Sequence, residues 1–357
     1  WRGGEHQVRL LTNGLAQQNC ESHLAFPKKA EIFHYVRDFP YLELFSKRSY
    51  DPRNINQLIS YCDSHKIEIL HAHSSGGHSL AIAIKKNRPH LKLIVHRRVA
   101  FDRKLNWFSR RKYLAPQVDC YIAISKMVAQ NLHQQDVPQN KVHLIYDSID
   151  LNDYENLIYA ENRKELLQNW NLSNDNVILG TASALTKEKG LTILLRALEQ
   201  LATHKPNIAV LIAGNGPERG LLTQRLLRLN LPFPVRLIGF IDNTPQFLSG
   251  LDIFVMPSLS EGLGSTALQA LAAGRCVVCS DAGGLPEIIE NEITGLIAKR
   301  GNAQDLADQL LRAIENPSLR SHLGEKGLSV VAKKYSLESM VQNTLNIYKE
   351  ILSTNHG

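Results

Sequence analysis

The sequence predicts an α/β protein built from two doubly wound domains. Short apolar runs alternate with segments of helical length along the whole chain. The runs are apolar on both faces, as parallel strands covered by helices on either side must be. They fall into two successive sets, each of domain size. At 357 residues the chain accommodates two domains of ~100–200 residues. Hydrophobic residues make up 43% and charged residues 21%, which describes a globular chain and excludes a disordered one. No stretch approaches the ~18 uncharged apolar residues of a membrane-spanning helix.

In chain order, the first set of predicted strands is Ile67–Ala72, Leu91–His96, Val118–Ile124 and Val142–Tyr146, with a helix over Gly76–Arg88. The second set is Val177–Ala182, Ile208–Ala213, Val235–Ile238, Ile253–Met256 and Cys276–Cys279. Between and after these lie helical segments at Leu191–His204, Glu218–Asn230 and Ala303–Glu315. The polar stretch Asp147–Leu172 marks the junction. The expected division is a first domain over 1–160, a second over 161–335, and a C-terminal helix over 336–357 returning to the first domain. The opening Trp1-Arg-Gly-Gly-Glu5 reads as the loop and helix start that follow a strand. An upstream strand outside the numbered chain is therefore expected.

The five cysteines, Cys20, Cys62, Cys120, Cys276 and Cys279, are odd in number and widely scattered, which argues for a reducing compartment and against a disulfide framework. Cys276 and Cys279 form a CxxC, but on a strand residues three apart face opposite ways. They are expected to be buried structural thiols. No second CxxC or His pair completes a zinc site, so no metal site is expected.

The formal charge of +7 belongs wholly to the first half. Residues 1–160 hold 22 Lys+Arg and 15 Asp+Glu, and the remainder holds 19 of each. The excess concentrates in 85–112, where eleven basic residues face one acid, Asp102. Trp107 and Phe108 interrupt the run between Arg103-Lys104 and Arg110-Arg111-Lys112. Basic residues interleaved with aromatics suit an anionic membrane surface; a solvated helix face over two core aromatics is the plainer alternative. No DNA- or RNA-binding motif accompanies the charge, so nucleic acid is not expected as a partner.

In open parallel sheets, ligands bind beyond the carboxyl ends of the strands. The clearest such place is Met256-Pro-Ser-Leu-Ser-Glu-Gly-Leu-Gly-Ser-Thr-Ala-Leu-Gln269, an apolar strand running through a Gly-flanked loop into a helix. Gly262 and Gly264 permit close approach of backbone to ligand. The helix start offers free N–H groups and the positive end of a dipole, an arrangement suited to phosphate or pyrophosphate. Glu261 and Gln269, eight positions apart, are expected to span ~12 Å of helix and to hold two polar parts of one elongated ligand. A Gly-rich turn with only a structural role is the alternative at this point.

The segment from Pro257 through Ser-Asp-Ala-Gly-Gly-Leu-Pro-Glu287 to Thr294-Gly-Leu296 resembles the signature region of the family-4 retaining glycosyltransferases (glycosyl transferases group 1). Further matches are Lys187-Glu-Lys-Gly190, Gly214-Asn-Gly-Pro-Glu218, Gly239-Phe240 and Gly3-Gly4-Glu5. The resemblance implies the GT-B fold, two Rossmann-like domains facing across a cleft. It also implies transfer of a sugar from a nucleotide-sugar donor to a hydroxyl of a glycolipid or surface glycan, lipopolysaccharide-like. Retention of anomeric configuration, independence of divalent metal, and action from the cytoplasmic side, peripheral to the membrane, are implied with it.

Position by position, the resemblance assigns Glu261 to the donor sugar's hydroxyls, with the backbone N–H groups of Leu263 and Gly264 assisting and Ser265 beside them. The second hallmark Glu is replaced by Gln269, which would hydrogen-bond the ribose without charge. Lys189 matches the pyrophosphate-binding Lys, while the usual Arg five residues earlier is Ala184; Arg97 or Arg98 is the expected substitute. Gly3, Gly4 and Gly214 would line the donor site. Lys66–His73 resembles the family's strand ending in paired histidines. His73 and Arg98, at strand ends, are expected in the reacting region, and His71 in the packing. Two rival readings stand beside this one. Gly214–Gly220, a GxGxxxG, superficially resembles a dinucleotide fingerprint and hence an oxidoreductase. Ala184 and Gln269 would also suit a sugar-nucleotide binder that has lost transfer.

Overall fold

Among the residues described by the computed structural model (3–30, 32–48, 50–99 and 107–353), every strand pairing is parallel. The strands are β1 Leu24–Pro27, β2 Tyr41–Leu44, β3 Ile69–Ala72, β4 Lys92–Arg97, β5 Cys120–Ala123 and β6 Val142–Leu144. They continue with β7 Val177–Ala182, β8 Ile208–Ala213, β9 Val235–Gly239, β10 Ile253–Met256, β11 Cys276–Ser280 and β12 Leu296–Ala298. β5, β8, β10 and β11 are buried at every residue, as strands with helices on both faces must be. Readings that rest on Trp1, Arg103, Lys104 or the side chains of Trp107 and Phe108 lie outside the described residues.

The chain divides into a unit of Trp1–Ser148 with Leu337–Gly357 and a unit of Ile149–Ser336. Residues 149–160, placed in the first domain by the sequence, fold with the second unit. The polar stretch around the junction carried no sharper boundary than that.

In the first unit, β3-β4-β5-β6 form one sheet in chain order, and β1-β2 a separate parallel pair. One face of the larger sheet is covered by two helices, Gly3–Gln17 and Leu337–Ser353. Leu10, Leu11 and Leu15 meet Met340, Val341, Ile347 and Ile351 over Ile94, Cys120 and Ile122. The two helices approach closely at Gly14, where a Cβ would stand 2.3 Å from Val341 Cγ2. The opposite side is filled by Leu44, Leu58, Leu80, Ile84 and Leu91.

In the second unit the order is β12-β11-β10-β7-β8-β9. The winding starts at β7, runs outward to β9, then returns to β10 on β7's other side. The reversal opens a crevice at the carboxyl ends of β7 and β10, the topological switch point. Asp252 ties these two strands together. Its carboxylate accepts the Ile178 amide at 2.7 Å, the Tyr159 hydroxyl at 2.6 Å and Arg163 at 2.5 Å. Cys276 joins the core with Leu179, Ile253 and Val255, and burial pushes its thiol up to about 12. Cys279 is buried as well, its thiol raised further by the same cause. Neither is a reactive thiolate at neutral pH.

Among the described residues, the basic run is broken up by partners from elsewhere in the chain. Four of its members are drawn into ion pairs with acids from other parts of the chain: Lys85 with Asp119, Arg88 with Asp63, Arg98 with Asp147 and Arg110 with Asp136. Lys112 Nζ donates to Ser75 Oγ at 2.7 Å, and Lys92 is buried. A count confined to residues 85–112 sees only Asp102 and misses these long-range partners. No helix of the described residues is long and apolar enough to cross a membrane.

Candidate active site at the strand ends

At the switch point, the loops leaving β7 and β10 are locked against each other. The short 3₁₀ turn Lys187–Lys189 follows β7. The carbonyl oxygen of Glu188 accepts the amides of Leu259, at 2.7 Å, and Ser260, at 3.3 Å, in the β10 loop. Gly190 ends that turn in the left-handed region, at φ +65°, and a Cβ there would lie 2.0 Å from the Pro257 carbonyl oxygen. On the other side Gly283, at φ +60°, leaves no more room: its Cβ would lie 1.9 Å from the Glu261 carbonyl oxygen. Both positions require glycine on two counts, backbone conformation and space.

The result brings Lys189 and Glu261 together across 72 residues of sequence. Lys189 Nζ donates to Glu261 Oε1 at 2.6 Å, and Ser258 Oγ donates to the same oxygen at 2.7 Å. Ser258 is itself anchored, its carbonyl accepting Ser280 Oγ at 2.6 Å. Glu261 is only 9% exposed, so its charge is met by an ammonium and a hydroxyl rather than by water. Both bonds fall on Oε1, which leaves Oε2 for a ligand.

The helix Ser265–Ala272 starts just beyond, with Gly264 at its N-cap in a left-handed conformation and no side chain capping its first amides. Those amides and the helix dipole form an electropositive end. Leu263 and Gly264 are buried, while Ser265 and Gln269, one turn apart, are partly exposed. The sequence-based span of helix from Glu261 to Gln269 needs correction. Residues 261–264 form a loop, so only four of the eight steps are helical, about 6 Å of rise. The separation of Glu261 and Gln269 is therefore set by the loop as well as by the helix.

Gly214 follows β8, one strand outward from the switch point. At φ +126° a Cβ there would stand 1.8 Å from the Ser183 carbonyl oxygen, and one on Gly216 would stand 2.4 Å from that of Leu185. These glycines let the β8 loop lie directly on the β7 loop. A dinucleotide fingerprint sits on the first strand-to-helix turn of its unit, whereas this one is on the second, which removes the support for an oxidoreductase. Ala184 is exposed at the β7 exit.

In the first unit, parallel pairing sets Ala72 against Val95, so the next positions, His73 and His96, are neighbours, with His71 two residues back on the same face. The ring centroids lie 4.1 Å (His71–His73), 5.4 Å (His71–His96) and 5.2 Å (His73–His96) apart. Burial, with Arg98 nearby, depresses all three imidazoles, His71 to about 3 and the others well below the ordinary value. His71 Nδ1 lies 2.7 Å from the Tyr348 hydroxyl. Arg98 is buried in its pair with Asp147 and touches the first helix, where a Cβ on Gly4 would stand 3.5 Å from its Cδ. Gly3 begins that helix and is exposed. Arg97 faces the other way: its Nη1 donates to the Tyr113 hydroxyl at 3.0 Å, and its guanidinium lies over that ring. Alternation along the strand separates Arg97 and Arg98, so they do not act as a pair. The expectation of no metal-ligand grouping is also corrected, since the nitrogens of His71, His73 and His96 all lie within 4.8 Å of one another. Sequence spacing hid this group because it is assembled by register across two strands.

Known proteins match this architecture. The family model described as Glycosyl transferases group 1 matches residues 162–330, and that described as Glycosyltransferase Family 4 matches residues 1–153. The N-acetyl-alpha-D-glucosaminyl L-malate synthase of Bacillus anthracis is 23% identical over 97% of this chain and 90% of its own. The O-antigen biosynthesis glycosyltransferase WclY of Escherichia coli is 30% identical over 60% of this chain, which spans 57% of that relative. The crystal structure of Anabaena Alr3699/HepE in complex with UDP shares the fold with a TM-score of 0.83 at 19% identity, covering 98% of this chain and 96% of that one. The two family models leave only 154–161 and 331–357 unmatched, and the chain belongs to the family-4 glycosyltransferases, with the GT-B fold.

Proposed function

We propose that the chain is a retaining glycosyltransferase that moves a sugar from a nucleoside-diphosphate donor to a hydroxyl of a glycolipid or surface-glycan acceptor, without a divalent metal on the diphosphate. The observation that carries this reading is the Lys189–Glu261 pair at the switch point, set beside an uncapped helix start. The UDP complex of the Anabaena structure and the O-antigen role of the Escherichia coli relative support donor and acceptor class respectively.

The barrier lies in breaking the anomeric bond to a diphosphate leaving group. Negative charge grows on the departing oxygens and must be met by donors already in place. Lys189 supplies a full positive charge, and the amides at Leu263, Gly264 and Ser265 supply oriented dipoles. Glu261 accepts hydrogen bonds from hydroxyls of the sugar through Oε2 while its other oxygen holds Lys189 in position. Gln269, one turn into the helix, hydrogen-bonds the ribose. His73 and Arg98 at the strand ends of the first unit belong to the reacting region, and Gly3 and Gly4 line the donor site; Arg98 acts through its fixed pair with Asp147. Lys189 takes over the work of the missing Arg at Ala184, which makes it the one side-chain cation assigned to the leaving group.

Incubation with UDP-, GDP- and ADP-sugars and NMR of the product tests the reading. The expected result is donor consumption with the anomeric configuration preserved and no stimulation by Mg²⁺ or Mn²⁺. Binding of UDP without consumption of any sugar donor favours a binder that has lost transfer, and no binding of any nucleotide overturns the reading.

A further inference from the structure

The three-histidine group of the first unit has no part in holding the donor diphosphate, yet its composition is unusual for a packed interior. His71 Nε2, His73 Nδ1 and both ring nitrogens of His96 are buried without a hydrogen-bond partner. Buried polar atoms are nearly always satisfied, and a cluster of exceptions points to a bound ligand such as an ion. Four such atoms within one small space, all belonging to imidazoles, match the chemistry of a transition metal, whose commonest protein ligand is a neutral imidazole.

We propose that His71, His73 and His96 form a binding site for a divalent transition-metal ion of the Zn²⁺ class. The ligand nitrogens lie within 4.8 Å of one another. A tetrahedral ion with Zn–N bonds of about 2.0–2.1 Å needs its ligand nitrogens about 3.3 Å apart. Ring rotations that draw the three inward supply the difference. The Tyr348 hydroxyl on His71 Nδ1, at 2.7 Å, orients that ring and leaves Nε2 for the metal, the relation of an outer partner to a metal-bound histidine. The cation that bears on all three rings is Arg98, which is itself ion-paired with Asp147. Three imidazoles and no carboxylate select Zn²⁺, Ni²⁺ or Cu²⁺ over Mg²⁺ and Mn²⁺, which want oxygen ligands. The site is therefore compatible with transfer that needs neither Mg²⁺ nor Mn²⁺. Three protein ligands leave the fourth position for water.

The test is metal binding, not transfer. The chelator-treated full chain is dialysed against Zn²⁺ and its metal content measured, and Co²⁺ is used as a spectroscopic probe. One Zn²⁺ per chain and visible Co²⁺ bands of a four-coordinate nitrogen site are expected. His73→Ala and His96→Ala should each weaken Zn²⁺ binding by about a hundredfold or more. Tyr348→Phe, which keeps the ring packing, should weaken it about tenfold, and it decides the matter if the histidine variants do not fold. His65→Ala, outside the cluster, should bind as the parent does. Absence of stoichiometric binding overturns the proposal, as does binding indifferent to both His73→Ala and Tyr348→Phe.

Discussion

Single residues at the switch point answer for both binding and stability. Lys189→Ala should lower turnover by about 10²–10³, the usual cost of removing a donor from developing charge in a sheltered site. Glu261→Gln keeps the shape but loses the charge that holds Lys189, and it should reduce transfer comparably while far-UV circular dichroism stays unchanged. Gly283→Ala meets a carbonyl at 1.9 Å and a positive φ. Denaturant unfolding should show a loss of more than about 2 kcal/mol. A neutral outcome would mean the two loops are not in contact. His78 sets a pH response of its own. It is 1% exposed, beside the rings of Tyr113 and Tyr121, and burial, then Lys112 and Arg97, depress it to about 3. The unfolded chain binds a proton below pH ~6.5 that the folded chain refuses. This contribution is complete above that pH and is lost as pH falls toward 3, by about 1.4 kcal/mol per unit. In urea titrations at pH 7, 6 and 5, His78→Leu should flatten the decline by one proton's worth.

At the scale of elements, the register of β7 against β10 decides whether Lys189 and Glu261 meet, and Asp252 holds that register. Asp252→Ala leaves Arg163 without its carboxylate in a site where the two are 18% and 11% exposed. A loss of about 3–5 kcal/mol is expected in thermal or denaturant unfolding, together with weaker nucleotide binding; a silent substitution would show that the strands are pinned otherwise. The long buried strands were legible in the sequence because a short, uninterrupted apolar run such as Ile208–Ala213 fits little besides a strand covered on both faces. β1 and β2 were not. β1 ends in proline and β2 is interrupted by Glu43, so neither shows the uninterrupted apolar run of the predicted strands. β12, three residues long, was not predicted either.

For the whole molecule, the last helix is part of the first unit's core, with Met340, Val341 and Ile347 set against Leu10 and Leu11. Truncation after Ser336 should expose that core and make residues 3–148 open to limited proteolysis, while the second unit retains its protection. Equal resistance of both units would contradict the assignment. In the candidate donor site, Glu261 and its flanking glycines stand in one linear segment, while Lys189 was singled out by a separate match and meets Glu261 only through the fold, 72 residues away. The histidine group and the fate of the basic run were not legible, since Lys85, Arg88, Arg98 and Arg110 find their acids 25 to 49 residues away through pairings that no linear count contains. Among the described residues of the run, Lys86, Arg110 and Arg111 are exposed, and Arg110 is paired with Asp136. Neutralising Arg110 and Arg111 should reduce binding to anionic liposomes only modestly.

A crystal of the chain soaked with UDP locates the diphosphate directly. Diphosphate density is expected between the Lys189 ammonium and the amides that open the Ser265–Ala272 helix, with ribose against Gln269. Diphosphate density on the Gly214–Gly216 loop instead, with Lys189 still bound only to Glu261, would contradict it.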